Sequence, residues 1–433
     1  MCSPRAHGSV LRPLPDRLAA LISPLPDWTR ARTGLGPGLD AAALERWQLE
    51  RLGRVIEYAR GHSRFYGERL AGVPALATLA DLSRLPFTWP AEVAGAPLAF
   101  LCVAQSEVAR VATLTTSGST GARKRIFFTA QDLERTVDFF AHGMSALVRP
   151  GQDTLILMSG TTEHSIGRLL QAGLNRIGVT GRIGAPGWGA GEALRAARTA
   201  HCLVGLPAEL FWLCRAEPGL RPASVLLSAD FAPPSVIAAL RAAWHCRVFT
   251  HYGLTETGYG CAVQCGAGEG HHLRDPDLLL EIVDPETGTR LGPGALGEIV
   301  ITTLGNQAMP LLRYRTGDLA RMLDGPSRCG GTLPRLGRVE GRRENAIPLG
   351  GGASLSIHQL DELVCAMPGV HGFQAGLRRA GGRITLELTV AAEGPLDPDR
   401  LRAGLPPGLA VEVRYAEVSP FADRGKRRIL ALP

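Results

Sequence analysis

An α/β fold is predicted by three features of the chain. Between residues 126 and 249, short apolar runs of strand character alternate with stretches of helical period, the pattern of parallel βαβ units. A loop rich in glycine and hydroxyl groups, residues 115–124, directly follows the mostly apolar run 108–114. Beyond residue 342 a helix pattern and two strand patterns make a second, smaller set. We therefore expect a large multi-layer α/β N-terminal domain with parallel-rich sheets and a small α/β C-terminal domain. A chain of 433 residues with 45% hydrophobic content can bury more than one core.

Residues 1–40 are rich in Pro, Arg and Gly without a sustained period, so a loosely ordered arm is expected there. Over 41–70, Leu44, Trp47, Leu52, Val55, Ile56 and Tyr58 recur at three- and four-residue steps, which predicts an amphipathic helix. Strands follow at 126–129 and 154–158 with a helix at 132–147 between them, and strands at 203–206 and 247–249 flank a helix at 235–243. Residues 225–230 read as an apolar strand ending in Ser228, Ala229 and Asp230. The carboxyl end of a parallel strand is where a flat ring can approach the backbone. A helix at 360–367 and strands at 385–391 and 411–416 belong to the small domain.

The loop at 115–124 has the chemistry of a phosphate cradle. Successive backbone N–H groups can turn toward one point around Gly118 and Gly121, while Thr116, Ser117, Ser119 and Thr120 add donors and Lys124 adds charge. It is not the common nucleotide loop, which needs lysine directly after the second glycine. Here Ala122 and Arg123 intervene. Lysine is otherwise rare: of 47 basic residues only Lys124 and Lys426 are lysine. A compact ammonium differs from a guanidinium fork, so these two positions are the first to consider for chemistry. In the string Tyr252-Gly253-Leu254-Thr255-Glu256, a hydroxyl beside a carboxylate after a tight glycine suits a Mg²⁺ ion that bridges phosphate oxygens.

Composition excludes several classes. The net charge is +7, but the arginines are spread along the chain and form no basic tail, which argues against nucleic acid as a partner. Nine cysteines without paired spacing, and no charged-then-apolar start, suggest a reducing cytoplasm. No apolar run reaches the roughly 20 residues of a membrane span, so no membrane partner is expected.

Four strings, taken in order, resemble those of adenylate-forming enzymes of the acyl-CoA synthetase superfamily. Residues 116–124 are similar to T-S-G-[ST]-T-G-x-P-K, with Arg123 in the place of proline; the others are the strand end 225–230, residues 251–257 (Y-G-x-[ST]-E) and residues 314–318 (Y-R-T-G-D). From about residue 44 onward the chain looks like the short phenylacetate-CoA ligase branch. That resemblance implies activation of a small-molecule carboxylic acid, an aryl acid among the candidates, by ATP and Mg²⁺ to an acyl adenylate with release of pyrophosphate. The acyl group then passes to coenzyme A. Two alternatives stay open: an acceptor other than coenzyme A, and a nucleotide-binding protein without turnover. Whether the chain is a monomer or a homodimer is also left open.

The resemblance also implies residue roles. Thr116 to Gly121 and Thr255 would meet phosphate, Glu256 the metal, and Lys124 the pyrophosphate charge; Ser228, Ala229, Asp230, Tyr252 and Gly253 would line the nucleotide. Asp318 would accept the ribose hydroxyls and Arg338 would meet the ribose or α-phosphate. Residues 338–341 resemble an interdomain hinge between a large domain, 41–337, and a small mobile one, 342–433, with Glu340 where Asp or Lys is usual. Gly350, Gly351 and Gly352 lie in a string similar to a loop of the thiol tunnel. Lys426 would come from the terminal G-K loop to act in adenylation. A structural Zn²⁺ is implied at Cys265, His271 and Cys329, with Cys261 or His272 as substitutes and Ser327 where a further cysteine is usual. The acyl pocket is expected from residues 160–189 and 229–260.

Overall fold

The computed structural model describes residues 23–115, 123–342, 346–421 and 427–432. The cradle residues Thr116 to Gly121 and the terminal Lys426 therefore lie outside the described residues. Within the segment expected as a loose arm, Leu25–Thr33 forms helix α1, whose buried Trp28 donates from Nε1 to Asp138 at 2.8 Å. Helix α2, Ala41–His62, is capped by the Asp40 carboxylate, which accepts from the Ala43 N–H, and buries Leu44, Leu52, Val55 and Ile56. The single helix expected over 41–70 is broken at Ser63. Its hydroxyl accepts from the Tyr66 N–H and starts a short second helix, Arg64–Arg69.

Strands β1, Arg110–Thr115, and β2, Arg123–Phe128, form an antiparallel hairpin whose connection is the cradle. Helix α3, Ala130–Met144, follows, started by a reciprocal cap between Thr129 and Asp132. The buried Asp132 carboxylate also accepts from the N–H groups of Gln307 at 2.7 Å and Ala308 at 3.0 Å, tying the helix start to a distant loop. Strands β3, Asp153–Ile156, β4, Thr180–Ile183, β5, Cys202–Gly205, β6, Ser224–Leu227, and β7, Arg247–Tyr252, then make five parallel strands in the order β4-β3-β5-β6-β7. The helices between them are α4, Ile166–Arg176, a short helix Ala190–Ala197, α5, Pro207–Ala216, and α6, Pro234–Trp244. Strands β3, β5, β6 and β7 are the parallel unit expected from the alternation, whereas β4 was not expected and the strand expected at 126–129 lies in the antiparallel β1–β2 hairpin outside this sheet.

The sheet does not stop at β7. Strands β8, Ala262–Gln264, and β9, His271–Leu273, extend it antiparallel. Next come β10, Leu278–Val283, β11, Gly297–Thr303, and β12, Tyr314–Ala320, neighbours in a second, antiparallel sheet of four strands. The pair β13, Met322–Leu323, and β14, Arg335–Leu336, returns to the far edge of the first sheet. Strand β15, Gly341–Arg342, pairs with β12, so the second sheet continues past the segment expected to be the hinge.

The C-terminal part holds the hairpin of β16, Ala346–Gly350, and β17, Ala353–Ser356, with Gly350, Gly351 and Gly352 all at positive φ in its turn. Helix α7, Ile357–Cys365, and a four-stranded sheet complete it. That sheet comprises β18, Val370–Ala380, β19, Arg383–Ala392, β20, Ala410–Tyr415, and β21, Ile429–Leu432, in the order β20-β19-β18-β21. One apolar cluster runs through both parts: Leu203, Leu210, Phe211 and Trp244 pack in the same core as Leu360, Phe373 and Leu388.

Candidate active site

The two ends of the site are built on β12 and on the loop after β7. Gly253 opens that loop, and a Cβ there would fall 1.7 Å from the Tyr259 carbonyl oxygen, so only glycine permits the tight return of the chain. The return carries Glu256 into the interior, 5% exposed. Its Oε1 accepts from the Lys124 ammonium on β2 and from the Tyr314 hydroxyl on β12 at 2.9 Å. Lys124 Nζ in turn donates to the Tyr314 oxygen at 2.7 Å and lies 5.4 Å from the centre of that ring. Burial pushes the Glu256 carboxyl up, but the charge of Lys124 and hydrogen bonds from Lys124 and Tyr314 outweigh it and hold the group below the usual carboxylate range.

Four residues further along β12, Asp318 anchors a second network. Its Oδ2 accepts from the Tyr252 hydroxyl at 2.9 Å and its Oδ1 from Arg342 Nε at 2.6 Å. A carboxylate offers about four lone-pair positions, so two acceptor sites remain for hydroxyl groups. Burial and the neighbouring Asp318 charge raise Tyr252 well above its ordinary value, so it stays a donor. Arg313 fixes where β12 begins. It is 2% exposed, forms a two-pronged pair with Glu281 at 3.0 Å on each prong, and donates to the Leu85 carbonyl.

Among the described residues four non-glycine positions have positive φ, and three of them border this region: Ala229 at 66°, Tyr259 at 74° and Arg313 at 45°. Such backbone costs free energy and persists where the surroundings over-determine it, as at active sites. The string Ser228-Ala229-Asp230 leaves the carboxyl end of β6, and Asp230 Oδ2 accepts from the Arg427 backbone N–H at 3.0 Å. Arg338 donates to the Ala232 carbonyl at 3.3 Å and stacks 4.8 Å over Phe231, which itself stacks on His358 of α7 at 4.0 Å. The C-terminal part therefore touches the strand end where a flat ring was expected, through Arg427 and His358. Thr255 starts the short turn that carries Glu256.

A cavity lies between α3 and the ends of β5, β6 and β7. Phe139, Phe140 and Met144 of α3, Ile166 and Leu170 of α4, and Ser228 and His251 line it. The α3 contribution was not expected. In the sequence, Phe139, Phe140 and Met144 look like the buried stripe of any amphipathic helix. Gly260 permits the approach, since a Cβ there would sit 2.7 Å from the Phe139 ring.

The zinc ligand set is corrected at one position. His271 is engaged elsewhere: its Nδ1 donates to the Leu336 carbonyl at 3.2 Å and its Nε2 accepts from the Thr250 hydroxyl at 2.8 Å. Successive residues of a strand face opposite sides, so on β9 it is His272 that meets the cysteines. Ligand atoms of Cys265, His272 and Cys329 lie within 4.8 Å of one another, with Cys329 Sγ 3.3 Å from His272 Nε2. Cys261 is bound instead to the Thr257 hydroxyl at 2.9 Å, and the Ser327 hydroxyl to Glu269 at 3.0 Å. Among the described residues no fourth His, Cys, Asp or Glu joins the group.

The AMP-binding enzyme family matches residues 101–310. The phenylacetate-coenzyme A ligase of Thermus thermophilus is 29% identical over 370 residues, covering 81% of this chain and 82% of that one. The ligase of the same name from Pseudomonas putida is 28% identical over 325 residues, covering 71% and 73%. Among solved structures, 2-hydroxyisobutyryl-CoA ligase with 2-HIB-AMP matches with a TM-score of 0.75 at 20% identity, covering 87% of each chain. With the networks around Glu256 and Asp318, these likenesses point to one class: the chain is similar to adenylate-forming enzymes. Within that class, it resembles the phenylacetate-coenzyme A ligases over most of its length.

Proposed function

We propose that the chain joins a carboxylic acid to ATP, giving an acyl adenylate and pyrophosphate, and then passes the acyl group to coenzyme A. The observation that carries this reading is the buried set of Lys124 on β2, Glu256 on the loop after β7 and Tyr314 on β12, with Asp318 further along β12. Adenylation needs positive charge where pyrophosphate departs, a carboxylate for a hard cation and an acceptor for the ribose. Lys124, Glu256 and Asp318 supply these in turn. Lys124 donates to Glu256; phosphate oxygen of ATP would compete for the ammonium and leave the carboxylate to a cation. Mg²⁺ held by Glu256 would neutralise phosphate charge during the displacement. Ser228, Ala229 and Asp230 take the adenine side, and the cradle 116–121 takes the phosphates.

Lys426 precedes Arg427, whose N–H already reaches Asp230, and this supports the terminal lysine as the charge brought over the α-phosphate. The part beyond residue 342 acts as the small mobile domain, turning about 338–341 between the two half-reactions. Cys265, His272 and Cys329 fit a zinc ion, since they are buried N and S donors at separations a tetrahedral ion accepts. Its role would be to staple the loop before β9 to the loop before β14. No helix among the described residues is long and apolar enough to cross a membrane, and we place the enzyme in the cytoplasm.

The test is pyrophosphate release from ATP and Mg²⁺ over a panel of aryl, short aliphatic, hydroxy and amino acids, with and without coenzyme A. Thioester formation accompanying release is expected with at least one acid. Release without a thioester would move the reading to another acceptor. ATP binding with no release from any acid would leave a nucleotide-binding protein without turnover.

A further inference from the structure

Among the described residues four arginines are buried. Arg274 pairs with Asp277, Arg313 with Glu281 and Arg315 with Glu298. The fourth, Arg335 on β14, is 5% exposed, and its enclosed Nε and Nη1 have no hydrogen-bond partner. A buried cation is costly to a fold unless an anion compensates it. A guanidinium kept in this state points to an anion that comes from outside the chain.

The surroundings of Arg335 say what else that anion would meet. In the antiparallel pair of β14 and β9, Arg335 stands opposite His272, so the two side chains leave the same face of the sheet. Gly270 opens the space beside them, since a Cβ there would come 3.4 Å from the Cβ of Arg335. The two groups are close enough that, after burial, the Arg335 charge is the next largest influence on the His272 imidazole. His272 in turn is the residue that meets Cys265 and Cys329, all three buried and with ligand atoms within 4.8 Å of one another. The unpaired cation and the three-donor group are therefore neighbours.

Charge and coordination number converge on one kind of ligand. Cysteine binds zinc as thiolate and histidine as the neutral ring, so Cys265, Cys329, His272 and Zn²⁺ sum to zero, and Arg335 leaves one positive charge over. A structural zinc takes four ligands, and three are present. A neutral fourth ligand would fill the position and leave the charge, and a dianion would overshoot it. A monoanion does both.

We propose that Arg335 and the Cys265–His272–Cys329 group form one composite site for zinc together with a small monoanion, a halide or a carboxylate, which takes the fourth ligand position and accepts from the Arg335 guanidinium. This rests on the zinc reading given above and goes beyond it. Because β14 runs directly into 338–341, filling the site would stiffen the strand that leads to the proposed hinge.

In the experiment the full-length protein, wild type and the variants Arg335→Met and Arg335→Gln, is stripped with a chelator and refilled with Co²⁺, whose visible bands report the donor set. Chloride, bromide, acetate and azide are titrated against perchlorate at fixed ionic strength, and the zinc-loaded protein in bromide is read by X-ray absorption at the zinc edge. The wild type should take about one Co²⁺ per chain with the bands of a tetrahedral site. A halide or acetate should shift those bands saturably, and bromide should appear as a neighbour of zinc. Arg335→Met should keep the metal and bind the anion roughly tenfold to a hundredfold more weakly, the loss of a charge-assisted bond. Arg335→Gln, which keeps a donor without charge, should fall between the two. Thermal melting checks that the variants fold, and Arg335→Gln carries the comparison where Arg335→Met does not. Bands indifferent to every anion, or an unchanged anion affinity in the variants, overturn the inference. Failure to bind either cobalt or zinc overturns the zinc reading together with it, while the adenylating function is judged separately by pyrophosphate release.

Discussion

Replacing Glu256 by Gln tests the Lys124–Glu256 pair directly. Both side chains are nearly excluded from water, with side-chain exposures of 11% and 7%. Removing one partner of such a pair leaves an uncompensated buried charge, typically costing about 3 to 5 kcal/mol. Glutamine keeps an oxygen for Lys124 and the Tyr314 hydroxyl, so the loss should fall at the low end, about 3 kcal/mol. Lys124→Met leaves the carboxylate with Tyr314 alone and should cost a similar amount. The double variant removes both charges together, and its cost should fall short of the sum by about 2 to 3 kcal/mol. Urea unfolding at pH 7 without nucleotide measures all four corners of the cycle. Because the folded state holds Glu256 below its ordinary value, its contribution is present above about pH 4.5 and is lost on acidification. The stability gap between wild type and Glu256→Gln should therefore close as the pH falls below that value. Strictly additive single losses, or a gap that does not change with pH, would refute the pairing. Mg²⁺-dependent pyrophosphate release in Glu256→Gln should also drop roughly a hundredfold to a thousandfold.

Asp318→Ala should weaken ATP binding by about 1.5 to 3 kcal/mol, read by calorimetry, and unchanged affinity would remove the ribose role. Lys426→Ala should lose pyrophosphate release by roughly a hundredfold to a thousandfold yet still make thioester from supplied acyl adenylate and coenzyme A; equal loss of both half-reactions would point to misfolding. Elemental analysis should find up to one zinc per chain, diminished by His272→Ala and not by His271→Ala. Zero metal with undiminished stability after chelation would discard the site. Burial raises Asp361 from 3.8 to about 6 even beside Arg427. Between those values the unfolded chain ionises first, so stability should fall by about 3 kcal/mol as the pH rises from about 4 to 6, and Asp361→Asn should abolish that slope.

The strings that carry chemistry were legible because each is short and local: a glycine with a fixed turn, a hydroxyl beside a carboxylate, a carboxylate ending a strand. Glu256, Asp318 and Lys124 could be singled out in this way, and the parallel strands β3, β5, β6 and β7 followed from their alternation with helices, while β4 lies in a stretch without a clear period. What was not legible depends on which side a residue faces once the sheets form. His271 and His272 are indistinguishable as letters, and the side of β9 that each occupies decides which one meets Cys329. Tyr314 was visible only as part of a string, yet its hydroxyl joins Lys124 to Glu256. Arg342 lay past the expected hinge, and only the pairing of β15 with β12 brings it to Asp318. The antiparallel sheet of β10 to β12 is buried on both faces, so it lacks the alternation by which a half-exposed strand is recognised.

The apolar cluster that joins the α5 and α6 side of the parallel sheet to α7 and β18 has a thermal consequence for the proposed turning of the small domain. Parting Phe373 and Leu360 from Phe211 and Trp244 would hydrate oily surface, so the rearrangement should carry a positive heat-capacity change. Its equilibrium would then curve with temperature instead of following a straight van't Hoff line. Cooling weakens the attraction between such surfaces, so chilling the enzyme would favour the parted arrangement more than the joined one. The balance between the two half-reactions would in this way depend on temperature through solvent, with no change at any residue that touches the nucleotide.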